Sequence, residues 1–333
     1  MRKRILIVTD NNREQINGVV TTFTNIELAA KRDGYDIDYI DPSLFSSIPA
    51  PGYPEVRLSW PKNIGRLIRS RNPDYIHIAT EGPIGLAARL WLDWKGWRYN
   101  TSYHTKFPEF IKKLYGIPEA ATYAYVRWFH KHSGRVLTTT DTMVNDLRAH
   151  GFRGDIRAWT RGVDRNIFRP ELRERSGGEK ILLNVGRVSK EKGLDDFCKL
   201  QIPGTRKIVV GDGPYREELQ RQYSDVEFVG AKTGIELAQY FANADVFVFP
   251  SRTDTFGVVI IEALVCGTPV AAYPVPGPKD ILEEGITGYM SPCLQDAVEI
   301  CLDYPRNRVV TASQRWTWSH CWQIFRDNLV DIV

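Results

Sequence analysis

Ala244-Asp245-Val246-Phe247-Val248-Phe249-Pro250-Ser251-Arg252-Thr253-Asp254-Thr255-Phe256-Gly257-Val258-Val259-Ile260-Ile261-Glu262 joins an apolar, β-type run to a helical pattern through a polar turn closed by Gly257. The first part reads as a strand buried on both faces, because Val and Phe fill it without polar alternation. Asp254 falls in the turn, and Glu262 lies about two turns into the helix that Gly257 opens. The two acids therefore bracket a helix N-terminus, where backbone N–H groups and the helix dipole favour oxygen-rich or anionic ligands. Taken alone, the pair reads first as an ordinary turn acid and a solvated helix acid, since such spacings are common on helices.

The same strand, turn and helix unit recurs in both directions. Upstream, strands are expected at Arg4-Val8, Asp36-Ile40, Asp74-Ala79, Tyr99-Tyr103 and Arg135-Thr139, with helices at Gly18-Arg32, Lys62-Arg71, Pro83-Lys95, Pro118-His132 and Thr142-His150. The pattern restarts with strands Lys180-Val185, Lys207-Val210, Val226-Val229, Val246-Phe249 and Pro269-Ala272, each followed by a helix. Alternation of this kind implies an α/β protein with two Rossmann-like parallel-sheet domains facing a central cleft, covering residues 1–165 and 179–315. Gly162 to Gly178 is expected to carry the hinge, placed at 166–178, and Thr317 to Val333 reads as one amphipathic helix, with 316–333 crossing back to the first domain.

Composition limits the classes. The chain of 333 residues has soluble globular proportions, and no stretch is long and apolar enough for a spanning helix. Met1-Arg2-Lys3-Arg4 resembles the start of a signal peptide, but the apolar run behind it ends at Val8, which fits a strand. Cys198, Cys266, Cys293, Cys301 and Cys321 form an odd set without C-x2-C spacing, so reduced thiols in a cytoplasmic protein are expected. Residues 1–165 hold 25 Lys and Arg against 17 Asp and Glu, and the remainder 19 against 23. The two halves should face different partners.

Candidate chemistry lies after strands, where open α/β sheets bind ligands. Gly186-Arg187-Val188-Ser189-Lys190-Glu191-Lys192-Gly193 offers cations and glycines that suit a diphosphate, or else forms a solvated basic turn; Lys190 reads as surface. Gly211-Asp212-Gly213-Pro214 is a tight turn or a nucleotide contact. Gly18 ends the loop after the first strand and can approach a phosphate or sugar, and His104 follows the strand ending at Tyr103, as a structural or an active-site imidazole. Asp36-Ile37-Asp38 mimics an Asp-x-Asp metal motif, but it sits in a strand, so no metal site is expected there.

In combination these residues resemble the retaining glycosyltransferases of family 4, which have the GT-B fold. The resemblance rests on Gly186-Arg187 with Lys192-Gly193, Gly211-Asp212-Gly213-Pro214, Asp254-Thr255-Phe256-Gly257 to Glu262-Ala263-Leu264, and Cys266-Gly267-Thr268-Pro269-Val270, with Gly162-Val163-Asp164 and Glu284-Gly285-Ile286-Thr287-Gly288 also matching. It implies that Arg187 and Lys192 bind the donor diphosphate, Glu262 the nucleotide ribose, and Asp254 with the Phe256-Gly257-Val258 backbone the sugar. Gly18, Gly186 and Gly211 would line the donor site and His104 would meet the transferred sugar. The family's first acid is usually Glu, so the shorter Asp254 bears on which sugar is taken. Front-face substitution without a metal cofactor is implied, with Arg187 and Lys192 stabilising the leaving diphosphate.

Thr80-Glu81-Gly82-Pro83 and Thr101-Ser102-Tyr103-His104-Thr105-Lys106-Phe107-Pro108 are similar to the branch holding lipid-linked mannosyl- and sulfoquinovosyltransferases. Two basic, aromatic stretches add to this: Arg57 to Arg71, with Trp60, Lys62, Arg66 and Arg69, and Phe107 to Tyr115, with Lys112 and Lys113. They read as a surface for an anionic membrane that presents a lipid acceptor, with Glu81 on the acceptor side, or as solvated helix faces. The expected activity is transfer from a nucleotide-sugar to a lipid or glycan at the cytoplasmic face of the membrane, with peripheral attachment and no nucleic acid partner. A soluble polysaccharide or small-metabolite transferase, a nucleotide-sugar epimerase and an inactive sugar-nucleotide binder are the alternatives.

Overall fold

The computed structural model describes residues 2–14, 18–50, 53–104, 108, 111–112, 116–175, 177–254 and 256–333, with backbone alone for 50 and 53–57. The chain divides into two compact units, one of residues 1–161 with 318–333 and one of residues 162–317.

The first unit contains β1 (Lys3–Val8), β2 (Tyr35–Ile40), β3 (Ser47–Ala50), β4 (Tyr53–Ser59), β5 (Tyr75–Ile78), β6 (Asn100–Tyr103), β7 (Val136–Thr138) and β8 (Ile156–Ala158). Six of these form a parallel sheet in the order β2-β1-β5-β6-β7-β8, while β3 and β4 make a separate antiparallel hairpin. Burial on both faces explains the unbroken apolar run of β1. Ile5 and Ile7 pack with Phe23, Ile26, Trp322 and Phe325 on one side, and Leu6 and Val8 with Ile64, Ile68, Ile84 and Leu92 on the other. Helices Gly18–Arg32 and Trp318–Asp327 thus cover one face, and Ile64–Arg71 and Pro83–Lys95 the opposite face. Asp36 and Asp38 are exposed on β2 and pair with Arg2 at 3.1 Å and Arg71 at 3.4 Å.

The second unit contains β9 (Lys180–Val185), β10 (Thr205–Val210), β11 (Val226–Phe228), β12 (Val246–Phe249), β13 (Val270–Ala272) and β14 (Gly288–Met290), all parallel in the order β11-β10-β9-β12-β13-β14. Alternation along β9 sends Ile181, Leu183 and Val185 to one core and Leu182 to the other. The strand order reverses between β9 and β12. In open α/β sheets that switch point, at the carboxyl ends of the strands, is where a crevice for ligands opens.

The stretch expected to carry the hinge is anchored on the second unit at several points. Val163 and Phe168 are buried in its core, and Arg173 and Arg175 reach Asp245 at 2.9 and 3.3 Å. The C-terminal stretch is not one continuous helix. Its helix stops at Asp327, the Asn100 side chain donates to the Asn328 carbonyl, and the tail runs on to an antiparallel bridge between Asp331 and Tyr75. The edge strands β8 and β14 and the β3/β4 hairpin were not expected from periodicity. With three residues each, β8 and β14 are too short to show a period of two.

Four of the five cysteines are buried, Cys293 is exposed, and all are free thiols. Among the described residues no helix is long and apolar enough to cross a membrane.

Candidate active site

The loops that leave β9, β10 and β12 build one constellation in the second unit. Gly186, at φ +151°, donates its N–H to the Val210 carbonyl at 3.0 Å, and Val188 donates to the Asp212 carbonyl at 2.9 Å. The turns touch so closely that a Cβ on Gly211, at φ +149°, would lie 1.8 Å from the Gly186 carbonyl oxygen, and one on Gly213 would lie 2.4 Å from that of Val188. Glycine is required here for backbone contact as well as for its φ. Gly193, at φ +68°, starts the helix Leu194–Cys198 and approaches the Pro250 carbonyl in the same way, with 2.8 Å left for a Cβ.

That contact brings the basic turn against the acidic one. Lys192 Nζ donates to Asp254 Oδ1 at 2.6 Å, with both side chains partly exposed, and Asp254 Oδ2 has no hydrogen-bond partner among the described residues. Lys190 points outward, over the Tyr215 ring at 4.9 Å and 3.6 Å from Glu218, as the sequence suggested. Arg187 is exposed. Behind the acidic turn, Arg252 pairs with Asp196 at 2.8 Å and lies 3.6 Å over the Tyr273 ring, while the Tyr273 hydroxyl donates to the same Asp196. This network, which sequence reasoning missed, ties the loop after β12 to the helix after β9.

Gly257, at φ +87°, opens the helix Val258–Val265. Phe256 turns its ring into the core, edge-on to Trp316 at 5.9 Å, so only its backbone is available to a ligand. Gly277 lets that backbone be approached from behind, since a Cβ there would lie 2.7 Å from the Phe256 carbonyl oxygen. Val258 is half-buried. Two turns along, Glu262 keeps some accessible surface, yet the atoms packed around its carboxyl desolvate it and push its pKa up to about 7.

In the first unit the strand order switches between β1 and β5. Gly18 begins the helix Gly18–Arg32 there, and a Cβ on it would meet nothing within 4 Å. The Asp10 carboxylate accepts from Ile84 N at 2.7 Å, Gly85 N at 3.2 Å and Thr80 Oγ1 at 2.8 Å, capping the helix Pro83–Lys95, while burial raises its pKa to about 6. Glu81 Oε1 lies 3.2 Å from His130 Nε2, and His130 Nδ1 is 2.7 Å from Thr101 Oγ1. His104 follows β6, and its Nδ1 lies 2.9 Å from the guanidinium of buried Arg161. Burial, and then the Arg161 charge, hold the His104 pKa well below its ordinary value. A neutral ring that accepts at Nδ1 carries its proton on Nε2, so His104 is fixed as an Nε2–H donor.

Asp10, Arg161 and His130 were not singled out from sequence; Asp10, directly after the first strand, was the one within reach of a rule about strand ends. Of the basic and aromatic residues expected on the acceptor side, Trp60, Lys62, Arg66 and Arg69 are exposed, and Lys112 pairs with Glu119 at 3.0 Å. The Arg57 side chain and Lys113 lie outside the described residues.

The second unit thus sets glycine-lined turns and a cation facing an acid at the switch point of its parallel sheet. A family model for glycosyl transferases group 1 matches residues 179–302, and one for glycosyltransferase family 4 matches residues 16–166. The chain is 30% identical to a GDP-mannose-dependent alpha-mannosyltransferase of Mycobacterium tuberculosis, covering 98% of this chain and 95% of that one. It is 32% identical to a sulfoquinovosyl transferase of Arabidopsis thaliana over 73% of this chain and 52% of that one. A sucrose-phosphate synthase structure from Thermosynechococcus elongatus shares the fold, with a TM-score of 0.78 at 20% identity over 98% of this chain and 99% of that one. The chain belongs to glycosyltransferase family 4.

Proposed function

We propose that this glycosyltransferase moves a sugar from a nucleoside-diphosphate sugar to a lipid or glycan acceptor at the cytoplasmic face of the membrane, with retention of configuration and without a metal. The observation that carries this reading is the Lys192 ammonium held 2.6 Å from Asp254 at the switch point of the second sheet, with Glu262 two turns along the adjoining helix. Lys192 has donors to spare beyond the one given to Asp254, and a diphosphate competes for them with twice the charge. Once the phosphate takes the ammonium, Asp254 is released to accept from sugar hydroxyls, while Gly186 and Gly211 leave backbone room for the phosphates. Glu262, as a carboxylate, accepts from the ribose hydroxyls.

In the reaction the acceptor oxygen bonds to the anomeric carbon as the bond from that carbon to the phosphate oxygen breaks, and the acceptor proton passes to the departing phosphate. Negative charge grows on that phosphate, where Lys192 and Arg187 stabilise it as fixed cations. Within the first unit, His104 offers an Nε2–H donor, Gly18 open backbone and Glu81 a carboxylate. The likeness to mannosyl and sulfoquinovosyl transferases supports a sugar of that kind, and the basic first half supports a lipid acceptor at an anionic membrane.

Incubation with UDP-, GDP- and ADP-sugars in EDTA, with lipid extract or water-soluble glycans, tests this by NMR of the product. The expected product has the anomeric configuration of its donor and forms without a metal. An inverted linkage, or turnover only after metal is restored, would count against the mechanism.

A further inference from the structure

We propose that the outer face of the helix Pro83–Lys95, with the helix Ile64–Arg71 and the β3/β4 hairpin beside it, docks this chain on an anionic lipid bilayer. The inference rests on the lipid-acceptor reading above and extends the marked stretch Arg57 to Arg71 onto a neighbouring helix that sequence did not mark. Leu90 and Trp94, one helical turn apart on the same face, are 49% and 73% exposed. On one flank Trp91 packs over Gly65 of the neighbouring helix, with the Arg69 guanidinium 5.7 Å from its ring. On the other, Arg89 is buried 3.8 Å from the ring of Trp128, which is 42% exposed. The hairpin adjoins through β4, where Leu58 opposes Ile48 with both exposed, and leads into Trp60, which is 72% exposed.

A cluster of exposed Trp and Leu on one unit is uncommon for a surface that meets only water. Trp suits the headgroup boundary, since its ring is apolar and its N–H polar. The charge is complementary to an anionic surface. Within residues 61–72 and 83–98 the exposed ionisable side chains are Lys62, Arg66, Arg69, Lys95 and Arg98, all cations. Asp93, the acid of this region, is already engaged by Arg89 at 3.4 Å and His132 at 3.0 Å. Lys95 lies 4.2 Å over the Trp94 ring, so a cation sits at the rim of the apolar face itself.

The test is co-sedimentation of the full chain with vesicles of phosphatidylcholine alone or with phosphatidylglycerol, for wild type and for Leu90→Glu with Trp94→Glu. Wild type should prefer the anionic vesicles. The double variant should lose at least tenfold in that affinity, with its melting temperature and its turnover of a water-soluble acceptor unchanged. Arg66→Gln with Arg69→Gln reads the charge separately and should cost roughly fivefold per cation. Undiminished binding by both variants would overturn this face while leaving the lipid reading intact, whereas no binding of wild type to any vesicle would overturn both. A wild-type dimer that Leu90→Glu with Trp94→Glu converts to monomer, without change in vesicle binding, would assign the face to a second copy and also overturn the proposal.

Discussion

Replacing Lys192 by alanine is expected to lower the turnover number at saturating donor by roughly 10²–10³-fold, the range for removing one preorganised group that stabilises developing charge. The substitution removes the ammonium that sits 2.6 Å from Asp254 and leaves that carboxylate without its cation, facing the incoming diphosphate. Donor affinity should therefore fall as well, through like-charge repulsion. Lys192→Ala combined with Asp254→Asn separates the two effects. The double variant should recover part of the donor affinity and none of the turnover number. Steady-state kinetics with each variant measures both, and a Lys192→Ala enzyme that turns over within threefold of wild type would remove Lys192 from the mechanism. The side chain is partly exposed and fills no core space, so the melting temperature should change little.

Glu262 gives the second large effect, and it should show as a pH dependence. Its pKa is raised to about 7 in the folded protein, against an ordinary 4.5, by desolvation. The fold therefore favours the neutral acid: the associated stability is fully present below about 4.5 and is lost as pH rises through about 7. Donor binding needs the opposite form, because only the carboxylate accepts from both ribose hydroxyls. kcat/KM for the donor should fall about tenfold per pH unit below pH 7, while the donor-free protein becomes more stable over the same interval. Glu262→Gln should lower kcat/KM by roughly 10²-fold at pH 8, the scale of lost hydrogen bonds to a charged group, and flatten both profiles near pH 7. Parallel rate and melting profiles for the two proteins check the sign of each.

Much of this was legible in the chain because strongly periodic segments announce themselves. The unbroken Val246-Phe247-Val248-Phe249 run became the central strand β12, and the glycine turns after β9 and β12 met at the switch point of a six-stranded parallel sheet. Distances between turns were not legible. Nothing in the spacing of Lys192 and Asp254, 62 positions apart, says that Gly193 against Pro250 brings them into an ion pair. The same holds for Arg161 beside His104 and for Asp10 capping the helix after β5, since both rest on contacts between strands distant in sequence. The C-terminal tail misled for a local reason. Its amphipathic pattern continues past Asp327, but pairing of the tail beside β5 outweighs helix propensity there. In the stretch expected to carry the hinge, the polar, glycine-bearing composition gave no sign that Val163 and Phe168 anchor it in a core.

The melting temperature of the chain in EDTA, measured with and without UDP-, GDP- and ADP-sugars for wild type and Lys192→Ala, is the most direct test of a nucleotide-sugar site built on Lys192, Asp254 and Glu262. A donor that binds the folded state at a hundred times its Kd should stabilise it by about 2.7 kcal/mol. One base should raise the wild-type melting temperature by several degrees and leave the Lys192→Ala protein almost unmoved. No shift with any nucleotide-sugar at millimolar concentration, or equal shifts in both proteins, would contradict it.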